Sequence, residues 1–159
     1  MDGLYPAVSP SASWLRVMRA YMTLLVPAML IWEIAQLPLY TLWWEESAGA
    51  IAYAVLHCTL GDALIGVAAL AWALLLTADG AWPAQGFRRV LVAAVAIGVA
   101  YTIYSEWLNI EVRRAWAYTE AMPRLPWLGT GLGPLLQWSV LPPLALVAAR
   151  RFVAPTNAA

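Results

Sequence analysis

The chain of 159 residues is unusually apolar, with 63% hydrophobic and 11% charged residues, whereas soluble domains have about 45–50% and about 25%. Nine arginines balance nine acidic residues, and there is no basic stripe of the kind that nucleic-acid binding needs. The single cysteine, Cys58, excludes an internal disulfide and leaves no Cys/His cluster for structural zinc. The composition therefore excludes a disordered chain and predicts an integral membrane protein.

Four long apolar runs follow one another along the chain. A helical span needs about 20 apolar residues to cross about 30 Å of hydrocarbon. We expect spans at about residues 14–43, 49–77, 87–109 and 133–153, within a single transmembrane domain that covers residues 1–159. The predicted fold class is all-α, a membrane four-helix bundle.

The placement of the arginines predicts how the bundle is oriented, because cytoplasmic loops carry an excess of basic residues. Six arginines fall on one side of the membrane and three on the other: Arg16, Arg19, Arg88, Arg89, Arg150 and Arg151 against Arg113, Arg114 and Arg124. We therefore expect both termini in the cytoplasm. Heavy alanine and arginine usage is typical of GC-rich bacteria, so the predicted location is a bacterial inner membrane, crossed several times.

The long outer connection, residues 111–132, is the flap of this protein. It carries Trp116, Tyr118, Met122 and Trp127 and is too apolar for a free linker. One interpretation is a segment that lies across the outer end of the bundle, with the glycines near its end as a joint. The other is an interfacial loop that rests on lipid headgroups.

Ionisable residues inside the spans form the candidate site, because such residues are costly in a membrane and usually face the bundle interior. They are Glu33, His57, Asp62 and Glu106, with Gln36, Asn109 and Gln137 as uncharged companions. Counting about 1.5 Å of rise per residue places Glu33, His57, Glu106 and Gln137 in the outer half and Asp62 close to the midplane. The sequence therefore predicts an outward-facing acidic pocket.

Several explanations account for three acids at this depth, where burial favours the neutral form of a carboxyl. An acid retains its proton, the pocket holds a cation, or Arg113 or Arg114 reaches down from the flap. The plainest alternative is that these groups only hydrogen-bond one helix to another.

Tuned carboxyls beside one imidazole suit acid–base chemistry on a small apolar or isoprenoid-like lipid. The expected catalytic residues are Glu33, His57, Asp62 and Glu106. The expected ligand-binding residues are Gln36, Tyr101, Asn109, Gln137 and Trp138. Aromatic faces of Trp32, Trp72, Tyr101, Tyr104 and Trp138 would stabilise a carbocation-like centre.

Other functions stay open beside a lipid enzyme or lipid-binding protein. One is transport of protons or cations through Glu33, Asp62 and Glu106. It would need a homo-oligomer, because four short helices alone are poorly suited to alternating access. An accessory subunit of a membrane complex is another.

Neither a Glu-x-x-His pair nor an H-E-x-x-H motif occurs, so no metal site is predicted, and no cofactor is indicated. The expected partners are the bilayer and a small apolar or cationic ligand.

Four segments carry a resemblance to known proteins: QLPLYTLW (residues 36–43), HCTLGD (57–62), YSEWLNIEVRRAWAY (104–118) and GTGLGPLLQW (129–138). Together they resemble a family of small bacterial four-helix membrane proteins, a resemblance that implies the fold and no particular activity. The chain is also similar in architecture to the EXPERA fold of sterol isomerases and sigma-2-type receptors. That likeness implies Glu33, Asp62 and Glu106 as buried acids, with Trp138 and Pro142 in the late helix.

Overall fold

A computed structural model describes residues 10–78 and 81–153, which form helices joined by short connections and, before the last helix, by the long flap. The elements are α1 (Pro10–Gln36), the single-turn α2 (Leu42–Glu45), α3 (Ala48–Thr77), α4 (Phe87–Trp107) and α5 (Leu132–Val153). Four of them are long and apolar enough to cross a membrane. The predicted all-helical fold with four membrane helices is confirmed, and this is the architecture of a multi-pass membrane protein.

Helix ends follow proline and local geometry more closely than hydropathy. The apolar run predicted as one span to residue 43 divides after Gln36 into a 3₁₀ turn, Leu37–Leu39, and then α2. Pro38 lies inside that turn, and proline removes a backbone donor that a continuing helix would need. At the end of α4 the chain makes a π-helical turn, Leu108–Val112, before it leaves the bundle.

The four long helices form a ring in which α1 contacts α3 and α5, and α4 contacts the same two helices. Glycines allow the closest approaches. A Cβ placed on Gly98 of α4 would stand 2.4 Å from Cε3 of Trp138, so the indole of α5 lies directly on the α4 backbone. A Cβ on Gly66 of α3 would stand 2.7 Å from Cδ2 of Leu25, so this side chain of α1 packs on the α3 backbone in the same way. Small residues at such crossings are typical of membrane bundles.

The two halves of the bundle differ in what they bury. We call the end where α1 and α4 begin the arginine end and the opposite end the flap end. An apolar cluster that includes Val17, Leu25, Val90 and Leu146 fills the half nearer the arginine end. The buried polar residues of the described chain all lie nearer the flap end: Gln36, Thr59, Asp62, Thr102, Glu106, Thr130 and Gln137.

Candidate functional site

A cavity of about 270 Å³ lies in the flap half, between the four long helices. All nine residues singled out from the sequence line it: Glu33, Gln36, His57, Asp62, Tyr101, Glu106, Asn109, Gln137 and Trp138. The wall on α3 includes small residues at helical spacing, Ala54, Cys58 and Gly61. Because these side chains are short, they leave the space that the acids of the other helices face.

Gln137 is the centre of the polar network and exposes only 1% of its surface. Its amide nitrogen donates to Glu33 Oε1 at 3.0 Å and to Asp62 Oδ2 at 2.9 Å. Gln36, one helical turn after Glu33, donates to Glu33 Oε1 at 3.0 Å and to the Gln137 side-chain oxygen at 3.2 Å. Two carboxyls from α1 and α3 are thus held against one amide from α5.

Glu106 is held differently, by a residue of the flap. The phenol of Tyr118 donates to Glu106 Oε2 and accepts the backbone N–H of Gly131 at 2.9 Å. Burial raises the pKa of Tyr118, and the neighbouring Glu106 charge raises it further, so the phenol remains the donor. Sequence reasoning missed this residue, because Tyr118 lies in a segment without helical periodicity and its spacing from Glu106 carries no signal.

Exposed lining residues mark where the cavity opens. His57 on α3 is exposed and stacks on Tyr53, with ring centroids 5.7 Å apart and planes 19° apart. Tyr101 on α4 is also exposed. The mouth therefore opens sideways between α3 and α4, towards the lipid that surrounds a membrane bundle. The imidazole packs against an aromatic ring at this mouth, whereas the sequence interpretation paired it with a carboxyl.

Other predicted features take different places. Asn109 turns back along its own helix and donates to the Ser105 carbonyl at 2.9 Å. Arg113 lines the cavity near the flap end, and its side chain is exposed.

Three aromatic residues expected in the pocket do not line it. Trp72 and Tyr104 are 58% and 53% exposed on outer helix faces, and Trp32 donates its indole N–H to the Gly133 carbonyl at 3.2 Å. Trp138 and Tyr101 do line it. The prediction was wrong for these three residues because the rotation of each helix decides which rings face inwards, and hydropathy carries no information on that rotation.

The flap is bound to the connection between α1 and α3. Thr41 N donates to the Ala117 carbonyl at 2.9 Å, and Thr119 N donates to the Leu39 carbonyl at 3.0 Å. A Cβ on Gly131 would stand 2.9 Å from both Met122 Sδ and Tyr118 Cζ. Gly131 therefore serves close packing in the flap.

Comparison of the chain with family models, curated proteins and solved structures finds no match. Within residues 10–78 and 81–153, no group of three or more His, Cys, Asp and Glu side chains is arranged to hold a metal ion.

Proposed function

We propose that the protein binds a small lipid-like molecule in the acidic cavity and exchanges protons with it. The observation that carries the proposal is a cavity of about 270 Å³, lined by three carboxyls, that opens sideways between two membrane helices. Its volume is near the lower end of ligand pockets, which span about 300–1,000 Å³. The cavity therefore suits a compact polar head, with an apolar remainder that extends through the mouth into lipid.

The floor of the cavity supports binding over transport. Below Glu33 and Asp62 the bundle is filled by the apolar core around Leu25, Val90 and Leu146. A transport path needs polar groups or water across the full thickness of the membrane. A dead-end cavity with a lipid-facing mouth suits a ligand that enters and leaves by the same side.

The hydrogen-bond inventory supports a ligand that donates. Three carboxyls offer six acceptor oxygens, and the hydrogen bonds that they receive come from the amides of Gln36 and Gln137 and the phenol of Tyr118. The indole N–H of Trp116, which also lines the cavity, has no partner. The buried side-chain oxygen of Gln36 has no partner at all. A hydroxyl or a weakly cationic amine complements this excess of acceptors, and the Tyr101 and Trp138 rings provide faces for a positive centre.

Proton exchange is proposed for the carboxyls themselves. Glu33 and Asp62 share one amide nitrogen, and two carboxyls this close retain a proton between them at low cost. One gives that proton to the ligand, and the other, as the carboxylate, removes a different proton from it, so after an isomerisation the pair again holds one proton. His57 lines the cavity at its mouth.

Orientation and location belong to the same proposal. Six arginines at the arginine end against three at the flap end support cytoplasmic termini in a bacterial inner membrane. The cavity would then open into the outer leaflet.

Native mass spectrometry with lipid analysis of the purified protein tests the proposal. The wild type is expected to retain a small molecule other than bulk phospholipid, and Asp62→Asn and Glu106→Gln are expected to lose it. Glu120→Gln, the same change at an exposed acid outside the cavity, is the matched control and should retain it. If the wild type carries no such molecule under conditions that preserve bound lipid, the proposal is wrong.

A further inference from the structure

At the flap end, a tyrosine that the proposed ligand binding does not require is hydrogen-bonded to a carboxyl of the cavity. Tyr118 is buried, although the flap residues around it, Ala117 and Glu120, are exposed. Its ring lies 5.4 Å from the Tyr40 ring, and the Arg124 guanidinium lies 5.1 Å above its face. The side chain therefore enters the end of the bundle from a segment that otherwise runs along the surface.

The backbone on both sides of Tyr118 explains this inward direction. The backbone groups of Ala117 and Thr119 hydrogen-bond to the α1–α3 connection. Between these bonds, Tyr40 and Tyr118 form an isolated antiparallel bridge. Side chains alternate along an extended segment, so the exposed side chain of Ala117 and the buried side chain of Tyr118 point to opposite sides. The flap then returns to α5 through a bond from Leu132 N to the Pro123 carbonyl at 2.8 Å.

Glu106 belongs to the cavity and to the flap at once. Glu33 and Asp62 are held by Gln137 within the bundle, whereas the phenol on Glu106 comes from the flap. The flap also supplies Trp116 to the cavity lining. A movement of the flap would therefore open the cavity to water at this end and release a carboxyl at the same time.

We propose that the contact between Tyr118 and Glu106 is a latch that closes the water-facing end of the cavity, so that the cavity has a gated aqueous entrance besides its lipid-facing mouth. The proposal concerns access to the cavity and holds whatever the ligand is. Because the phenol also accepts the Gly131 N–H, opening the latch frees the start of α5 as well as Glu106.

Cys58 provides a native reporter, since it is the single cysteine of the chain and lines the cavity. The full-length protein in lipid nanodiscs is treated with a charged, membrane-impermeant methanethiosulfonate and, separately, with an apolar maleimide that enters through lipid. Tyr118→Phe should raise the rate for the charged reagent about tenfold, because a hydrogen bond to a carboxylate is worth about the 1.4 kcal/mol that corresponds to a factor of ten. The rate for the apolar reagent should change less than twofold.

Two further variants make the result specific. Tyr104→Phe removes a phenol from an exposed position of α4 outside the cavity and should leave both rates unchanged. Glu106→Gln keeps an acceptor for the phenol but removes the charge, so its rate should lie between those of the wild type and Tyr118→Phe. This variant also tests the latch if Tyr118→Phe does not fold.

Hydrogen exchange gives a second, reagent-free measurement. The amides of Thr119 and Leu132, both bonded within the flap region, should exchange faster in Tyr118→Phe, while amides of the apolar core stay protected. If the charged reagent reacts with Tyr118→Phe at the wild-type rate, or if both reagents accelerate equally, the latch is refuted. The latch stands even if mass spectrometry finds no bound molecule, and that result would overturn the proposed function alone.

Discussion

Replacing Gln137 with leucine tests whether the polar network holds the bundle together. Gln137→Leu keeps a similar volume but removes the amide that donates to Glu33 and Asp62 and accepts from Gln36. At about 0.6–2 kcal/mol for each hydrogen bond in a membrane, the loss of three lowers the free energy of unfolding by about 2–6 kcal/mol. The upper part of this range applies if the two carboxyls remain buried without a donor, since an unmatched buried polar group costs more than a lost bond.

The assay is unfolding of the purified protein in mixed micelles by titration with dodecyl sulfate, followed by loss of helical circular dichroism. Gln85→Leu is the matched control, because Gln85 is exposed in the turn before α4, and its stability should stay within about 0.5 kcal/mol of the wild type. A double-mutant cycle between Gln137→Leu and Asp62→Leu should show a coupling of at least about 0.5 kcal/mol. A Gln137→Leu protein as stable as the wild type, or a cycle without coupling, would refute the reasoning.

Two other predictions concern packing and orientation. Gly98→Ala places a methyl group inside the Trp138 ring contact and should cost about 1–3 kcal/mol, whereas Gly61→Ala, where an added Cβ meets nothing within 4 Å, should be nearly neutral in the same titration. In a cysteine-free background, an impermeant maleimide applied to intact cells should label Ser47→Cys and spare Gln85→Cys, and the reverse pattern would show that the proposed orientation is wrong.

The membrane fold was predictable because it rests on two coarse quantities, the length and the hydropathy of each apolar run. A bilayer requires that backbone groups be satisfied within each span, which leaves the helix as the expected element. The first span shows where this fails. Hydropathy continues through Trp43, but the helix ends at Gln36, because Pro38 changes the backbone without changing the apolar character of the run.

The composition of the cavity was predictable for a related reason. A polar side chain on a membrane helix costs least free energy when it faces the bundle interior. Residues far apart in sequence, such as Glu33 and Gln137, therefore meet there. Their partners were not predictable. Which carboxyl receives which donor depends on helix rotation within about one turn, and Tyr118 reaches Glu106 from an extended segment whose path hydropathy does not encode.

The state of the polar network bears on the choice between a structural and a binding role. A network that only joins helices gains most when each donor and acceptor is matched, because an unmatched polar group in low dielectric is costly. Here the buried side-chain oxygen of Gln36 has no partner, and neither has the buried indole N–H of Trp116. The Gln36 oxygen and the Trp116 indole both lie at the cavity, whereas the half of the bundle nearer the arginine end is filled mainly by apolar side chains, although the indole N–H of Trp82 also lacks a partner there. Packing of the kind found in that apolar half, as between Gly66 and Leu25, is enough to associate four helices. These unmatched groups at the cavity support the proposal that a bound molecule completes the polar half.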